Sequence, residues 1–416
     1  MITKLLGLAV LLFPVAMVVA DERPLALEEA VELALDESPQ VTSSAAMLDA
    51  ASAKAPSAGR LPDPELVAAV DNLPIDTADR FSFTRDFMTM RRVGFMQSFP
   101  SGTKRHLQKT YAQQEIGIAA AELRKTHYET RRAASEAWIA SAVANESLAR
   151  LRELKPSVDL QAAATRGALA SGRLSTAEAL ATQSMAARLD DRILALEQDA
   201  EMRKAELARW VGSAVERPLA PIPTDLEVVH SADALVAGVA QHAPLAPLEA
   251  RIAAARTDVE LARAEKHPDW SAELSYQKRG TDFSDMLSLE FRVGLPLFSK
   301  YRQNPVIAEK LATVRAEEAE RDAEIRMHTA EVAATLAEWR QGRARLAHYA
   351  TDLLPLIHEQ TQASVAAYAA GRADLRSTID ALSEEINTQL EYVELKGGVA
   401  RAWAFLHLLH DSGASP

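Results

Sequence analysis

The chain has 416 residues, a formal net charge of −12 and no cysteine. Without cysteine, disulfides and thiolate metal sites are excluded, and the acidic balance argues against nucleic acid as a partner. Aromatic residues are only 5% while hydrophobic residues reach 48%, much of it alanine, which favours long packed helices over a bulky globular core.

Residues 1–20 are predicted to be a signal peptide. Lys4 gives a positive start, residues 5–19 are apolar, and Ala20 is a small residue suited to cleavage before Asp21. An uncleaved anchor is the alternative. No later stretch holds about 18 consecutive apolar residues, so no membrane-spanning helix is expected. An exported protein of this composition is periplasmic, secreted, or a β-barrel protein of an outer membrane.

The first half of the chain, residues 21–212, is predicted to begin with two short helices. The parts that follow are a strand hairpin over about 65–99 and a helical hairpin over about 103–211. The second strand is predicted over Asp86–Phe99. From Thr103 to about Leu169 the only strong helix breaker is Pro156, and Gly172 then ends the first helix. The first helix would be roughly 100 Å long at ~1.5 Å per residue, which is typical of a coiled coil or helical barrel.

A linker with three prolines, residues 213–231, separates this half from the second, residues 232–410. The parts predicted there are a short helix over 232–242, a strand hairpin over about 269–298, a helical hairpin over about 303–410 and a flexible tail over 411–416. The long helix from Gln303 to about Ala369 contains Pro355. Gly371 then ends it.

Matching spacings indicate that the chain is an internal duplication of about 200 residues. Val93-Gly94 and Val293-Gly294 are two hundred residues apart. Pro156 precedes Gly172 by sixteen residues, and Pro355 precedes Gly371 by sixteen. Leu169–Arg173 and Tyr368–Arg372 also resemble each other. One duplication accounts for all of these matches together.

The strands alternate as outer-membrane strands do. The fourth has one wholly apolar face, and its other face carries Ser288, Glu290 and Arg292, which suits lipid outside and water inside. Four strands cannot close a barrel in lipid, because their edges would stay unpaired, so closure requires several chains. A small soluble sheet packed against helices is the alternative.

The order of these parts resembles the TolC family of outer-membrane efflux ducts. Leu25–Ala30 is similar to the start of the family's sequences, and Tyr368–Arg372 is similar to its Tyr-x-x-Gly turn. The resemblance implies a mainly α fold with a small β part. Three chains form it: duplicated long antiparallel helical hairpins build a trimeric α-barrel, and four strands per chain build a twelve-stranded transmembrane β-barrel.

The resemblance also implies partners and site residues. The partners are two further copies, a periplasmic membrane-fusion adaptor, an inner-membrane resistance–nodulation–division pump and outer-membrane lipid. The expected gate residues are Asp380, Glu178, Asp374 and Tyr368, and the expected adaptor-docking tip comprises Gly172, Arg173, Gly371 and Arg372. A threefold ring of the carboxylates would attract cations and raise their pKa values. Ser377 replaces a family aspartate, and solvated helix surface is the alternative for these acids.

Three methionines on one predicted strand face, Met88, Met90 and Met96, suggest a metal cargo. Thioethers are soft ligands suited to Cu(I), and Thr84–Arg92 resembles the heavy-metal branch of the family. Heavy-metal cations such as copper or silver are therefore the predicted cargo, with transient contacts at these methionines. Filling of the barrel by methionine is the other interpretation, and organic toxins are the alternative cargo.

No motif of an enzyme is present. The sequence lacks the spacing of a nucleophile elbow, a P-loop, a dinucleotide-binding loop or a metalloprotease pair, so we expect neither catalysis nor a cofactor. A periplasmic coiled-coil adaptor or scaffold without a pore is the remaining alternative. Such adaptors usually hold one helical hairpin, whereas two are predicted here.

Overall fold

The structure, a computed structural model, describes residues 23–172, 174–223, 226–228 and 232–411. The predicted signal peptide, Arg173, part of the linker and residues 412–416 lie outside these residues. The described chain forms two compact units. The hairpin unit takes its residues from Met1–Glu37, Ala134–Asp225 and Ala344–Arg401; the sheet unit takes its residues from Ser38–Ala133, Leu226–Arg343 and Ala402–Pro416.

Each unit draws segments from both halves of the chain, so the predicted repeats are not the compact units. The division of the sequence into two repeats stays a prediction. The long helices are the reason, because one helix contributes residues to both units: Gly102–Ala133 belongs to the sheet unit and Ala134–Ala170 to the hairpin unit.

The described chain is mainly helical. Its α-helices are α1 (Leu27–Glu37), α2 (Pro39–Lys54), α3 (Gly102–Ala170), α4 (Thr176–Val211), α5 (Ala232–Ala237), α6 (Ala246–Ala264), α7 (Gln303–His348), α8 (Leu354–Ala369) and α9 (Leu375–Asp411). None of the helices in this part of the chain is long and apolar enough to cross a lipid bilayer. The predicted long helices are confirmed, and α4 has the predicted bounds.

Two predicted helices differ in detail. The predicted helix over 232–242 ends early, at Ala237, because Gly238 is a weak helix former and Pro244 cannot donate a backbone hydrogen bond. The predicted unbroken helix from Gln303 contains a π-helical turn, Tyr349–Leu353, directly before α8. Pro355 crowds the carbonyl of residue 351, and the wider turn accommodates the lost hydrogen bond.

Four antiparallel strands form one sheet in the order β1-β2-β3-β4. They are β1 (Glu65–Asp71), β2 (Met90–Phe99), β3 (Trp270–Lys278) and β4 (Met286–Val293). Both predicted hairpins are present. In addition, β2 pairs with β3 from Arg91↔Lys278 to Phe99↔Trp270, and this pairing joins the two hairpins.

The second strand is shorter than predicted. It begins at Met90 rather than Asp86, because the Asp86 carboxylate accepts hydrogen bonds from the backbone N–H groups of Met88 and Thr89 at 2.8 and 3.2 Å. These bonds hold a turn, so Phe87 and Met88 lie before the strand. The prediction that Met88 shares a strand face with Met90 and Met96 is therefore wrong.

The sheet has one apolar face and one polar face. The register places Leu66, Phe95, Leu274 and Leu289 in one cross-strand row on the apolar face. Leu66, Phe95 and Leu289 are each more than 60% exposed, so helices do not cover this face as the soluble alternative requires. On the polar face, Glu273 and Ser275 are buried by neighbouring side chains.

Each unit has its own apolar core. In the hairpin unit, α3, α4 and α9 contribute residues at helical spacing: Leu148, Leu151, Val158, Met185, Leu189, Ile193, Leu382, Ile386 and Leu390. The sheet unit buries a second cluster around Tyr128, Leu235, Val332 and Phe405. These cores form without the exposed apolar face of the sheet.

Candidate functional site

The turn after α3, part of the expected tip, ends the helix at a glycine with positive φ. Gly172 has a φ of +70°, and its N–H donates to the Leu169 carbonyl at 2.9 Å. Glycine adopts this left-handed conformation at little cost, and it commonly ends a helix in this way. Arg173, the other predicted tip residue here, lies outside the described residues.

Glu178, a predicted gate residue, caps the helix that follows. Ser175 Oγ accepts from the Glu178 N–H at 3.3 Å, and Glu178 Oε2 accepts from the Ser175 N–H at 2.9 Å. This reciprocal pair is a capping box, which satisfies two free N–H groups at the start of α4. A serine followed three residues later by glutamate is the sequence signal for it, so this capping role of Glu178 was predictable from the sequence.

The second turn, between α8 and α9, is a Schellman motif. Gly371 has a φ of +68°; its N–H donates to the Tyr368 carbonyl at 2.9 Å, and the Arg372 N–H donates to the Ala367 carbonyl at 2.8 Å. Gly371 and Arg372 are exposed, and Tyr368 is half-buried. The predicted tip residues within the described chain thus occupy two similar exposed turns of the hairpin unit.

Asp374 starts α9 much as Ser175 starts α4. Its Oδ1 accepts from the Ser377 N–H at 2.9 Å. Ser377 stands at the position where the resembled family has aspartate, and here it completes the helix cap.

The capping contacts lower the pKa values of both acids. Hydrogen bonds from the hydroxyl and backbone of Ser175 lower the pKa of Glu178, while desolvation and nearby Asp374 oppose this shift. The backbone and side chain of Ser377 lower the pKa of Asp374. The structure therefore brings Glu178 and Asp374 within electrostatic reach of each other. In the single chain their pKa values shift in the direction opposite to that expected of a carboxylate ring.

Asp380 lies on a groove between α4 and α9. The groove has a volume of about 480 Å³ and is lined by Asp380, Ser383 and Asn387 of α9 and by Arg188 and Arg192 of α4. Arg192 Nη1 donates to Asn387 Oδ1 at 2.8 Å. Asp380 thus shares its surroundings with two guanidinium groups, which the sequence analysis did not identify.

Five charged side chains form a continuous row of ion pairs on the polar face of the sheet; we call it the charge ladder. Arg92 Nε lies 2.9 Å from Asp71 Oδ2, and Arg92 Nη1 lies 2.8 Å from Glu273 Oε1. Arg292 Nη2 lies 3.0 Å from Glu273 Oε2, and Arg292 Nε lies 2.7 Å from Glu290 Oε1. Glu273 is only 2% exposed, and a guanidinium contacts each of its oxygens.

Two of the predicted methionines, Met90 and Met96, are not brought together. Met90 and Met96 lie on the polar face six positions apart on β2, which is roughly 20 Å at ~3.3 Å per residue. The Met96 thioether accepts a hydrogen bond from Arg292 Nη1 at 3.2 Å. Among the described residues there is also no group of three or more His, Asp or Glu side chains that could hold a metal ion. Within one chain Met90 and Met96 are therefore too far apart to share one ion.

Comparisons with known proteins agree with this architecture. Residues 239–410 match the family described as Outer membrane efflux protein. No curated protein sequence matches the chain. The structure of the outer membrane protein VceC from Vibrio cholerae is similar, with a TM-score of 0.76 at 20% identity over 93% of this chain and 96% of that one.

Two further solved structures share the fold over nearly the whole chain. CusC has a TM-score of 0.78 at 15% identity, with 94% of this chain and 92% of CusC covered. The CmeC outer membrane channel of Campylobacter jejuni has a TM-score of 0.73 at 12% identity, with 93% and 86% covered. The family and these structures are outer-membrane proteins and channels rather than enzymes, which confirms the non-enzymatic interpretation. The described chain therefore has the fold of these outer-membrane channels, and its residues 239–410 are similar to the outer membrane efflux protein family.

Proposed function

We propose that this protein is the outer-membrane channel of a tripartite efflux system. It is a passive duct: an inner-membrane pump supplies the energy, a periplasmic adaptor joins pump and duct, and the protein provides the path through the outer membrane. The tip turns at Gly172 and Gly371 are the proposed adaptor contacts. Asp380, Glu178, Asp374 and Tyr368 are the proposed gate.

The exposed apolar face of the sheet is the observation that carries this proposal. Leu287, Leu289 and Phe291 are 72%, 62% and 63% exposed on β4, while Ser288, Glu290 and Arg292 point to the polar face. Exposed apolar patches of this extent mark a contact with lipid or protein. Strict alternation with a charged opposite face favours lipid on one side and water on the other.

Closure requires further copies of the chain. In the sheet order β1-β2-β3-β4 the outer edges belong to β1 and β4, and unpaired edges are not tolerated in lipid. Three copies, each joining its β4 to the next copy's β1, give a twelve-stranded barrel. A threefold ring is the assembly that the TolC family resemblance implies.

Two matching contacts support an ancestral duplication of the chain. In the hairpin unit Trp138 Nε1 donates to the Leu25 carbonyl at 3.0 Å, and in the sheet unit Trp339 Nε1 donates to the Leu226 carbonyl at 3.0 Å. Each tryptophan follows its acceptor by 113 residues. The same contact at the same spacing is expected if each half retains one feature of a common ancestor.

The channel proposal is tested by fractionation and by planar-bilayer recordings. We expect the protein to be recovered from outer membranes only with detergent, as a trimer that forms conducting channels. Recovery in the soluble periplasm without detergent would instead favour the adaptor alternative. Folded trimer without conductance would contradict the duct.

For the cargo we propose heavy-metal cations. Soft thioethers at Met90 and Met96 on the polar face support this choice. Deletion of the gene should sensitise cells to copper, silver, zinc or cobalt. Unchanged metal tolerance together with new sensitivity to organic toxins would favour the organic cargo.

A further inference from the structure

The charge ladder spans all four strands, from one edge of the sheet to the other. Asp71 lies on β1, Arg92 on β2, Glu273 on β3, and Arg292 and Glu290 on β4. Its four ion-pair distances lie between 2.7 and 3.0 Å. Apart from Glu290 and Arg292 on β4, the residues are far apart in sequence, so the sheet pairing creates this row.

Negative charge is in excess on the ladder, and the excess lies at its ends. Three carboxylates meet two guanidinium groups, which leaves a formal charge of −1 per chain. Glu273 in the middle is neutralised on both oxygens. Asp71 and Glu290 each contact one guanidinium that is shared with Glu273, and their side chains are 31% and 49% exposed. The uncompensated charge is therefore available to solvent at the two edge strands.

Assembly places the two edge strands that carry these ends next to each other. Only β1 and β4 have free edges, so a closed ring joins β4 of one copy to β1 of the next. Glu290 and Asp71 then lie on the two strands that flank each junction between copies. A ring of three copies carries three such acidic junctions on the water-filled side, where charged side chains act on passing ions at short range.

We infer that the charge ladder makes the sheet-lined part of the channel cation-selective, and that Asp71 and Glu290 are its specificity-determining residues. This inference rests on the proposed channel function and adds selectivity for cations over anions to it. Removing either end residue leaves the central pairs intact. Without Glu290, Arg292 still contacts Glu273, and without Asp71, Arg92 still contacts Glu273. A purely structural ladder would therefore be little affected by these two changes.

The test is the ratio of K⁺ to Cl⁻ permeability of purified trimer in planar bilayers, obtained from reversal potentials under a KCl gradient. The wild type should prefer K⁺. The double variant Asp71→Asn/Glu290→Gln should lower the ratio by about twofold or more, with a larger effect at 0.1 M than at 1 M salt because salt screens exposed charges. Glu260→Gln, on the exposed surface of α6 in the same unit, is the control and should leave the ratio unchanged.

Each outcome decides one claim. A conducting wild type whose ratio the double variant does not change overturns the inference. A folded wild type without conductance overturns the channel function instead. If the double variant fails to assemble, Glu290→Gln alone should lower the ratio by a smaller amount, and an unchanged ratio in that variant also overturns the inference.

Discussion

At the scale of single residues, glycine has two different roles in this chain. Gly371 and Gly172 supply the positive φ angles on which the exposed turns depend. Gly94, in the repeated Val-Gly pair, instead allows β2 and β3 to approach each other closely. A Cβ at this position would lie 2.6 Å from Ser275 Cβ across the β2–β3 pairing. The sequence singles out these positions, but only the structure separates the two physical causes.

Gly371→Ala should destabilise the trimer by about 1 kcal/mol, because the Cβ of alanine is sterically unfavourable in the left-handed conformation. Thermal unfolding of the purified trimer in detergent measures this change. Gly167→Ala is the matched control. Gly167 lies inside α3 with open space where a Cβ would lie, so alanine there should be neutral or stabilise by up to ~1 kcal/mol. Equal effects of both substitutions would contradict the assigned role of Gly371.

At the scale of elements, local patterns are predictable from the sequence and distant pairings are not. The bounds of α4 follow from Gly172 and Gly212, and the strand faces follow from alternation along each strand. The β2–β3 pairing joins residues 171 to 187 positions apart, and the Arg92–Glu273 ion pair joins residues 181 positions apart. No local period encodes such separations. A proline alone does not predict the π-helical turn before Pro355, because Pro156 lies within α3 without such a turn. The difference depends on how the helix around each proline accommodates the missing N–H donor.

Lys104 links the first turn of α3 to the residues before β3. Its Nζ lies 2.8 Å from Asp269 Oδ2 and 3.1 Å from Glu265 Oε2, and its side chain is only 5% exposed. Burial alone would lower the pKa of Lys104, but hydrogen bonds to Asp269 and Glu265 outweigh burial and raise it. Lysine therefore stays charged at this position and holds the two carboxylates.

Lys104→Met should cost roughly 1–3 kcal/mol of unfolding free energy, because it removes a buried ammonium group together with its hydrogen bonds to two carboxylates. Lys54→Met is the control. Lys54 makes a similar 3.0 Å pair with Glu115, but its side chain is 69% exposed, so its loss should cost less than ~1 kcal/mol. Denaturant unfolding compares the two variants, and equal losses would contradict the importance of burial.

A buried histidine pair predicts sensitivity to acid. His242 Nδ1 lies 3.1 Å from His328 Nε2, and Glu331 contacts the other nitrogen of His328 and also Arg132. Burial, and to a lesser extent His328, lowers the pKa of His242 to about 4. The unfolded chain would take up this proton near pH 6.5.

Because the unfolded state binds the proton first, the stabilising contribution of neutral His242 is complete above about pH 6.5. It is lost as the pH falls toward 4, by roughly 1–3 kcal/mol. Unfolding measured between pH 7 and 4 should show this slope, and His242→Gln should flatten it. His106→Gln, at an exposed position of α3, is the control; a slope that persists in His242→Gln would assign the acid sensitivity to other groups.

At the scale of the whole molecule, the two faces of the sheet differ in the surroundings that suit them. Its apolar face is exposed in the single chain, and its polar face holds the charge ladder. A charged substitution should therefore be tolerated on the polar face but not on the apolar face.

Leu289→Arg should reduce the amount of trimer assembled in the outer membrane, because a cation facing lipid costs about 2–4 kcal/mol near the centre of the bilayer. Ser288→Arg, one residue away on the polar face, should assemble normally. The yield of heat-resistant trimer in isolated outer membranes measures both. If the two variants assembled equally well, the assignment of the faces would be wrong.

The free edges of β1 and β4 also determine how a damaged subunit behaves beside an intact one. Each copy needs a neighbour on both sides, so one copy with a proline in β1 leaves an entire ring open. In a cell that makes both forms equally, random mixing leaves only about one ring in eight free of the altered copy. Edge mutations should thus be genetically dominant, whereas mutations that simply unfold the subunit before assembly should be recessive.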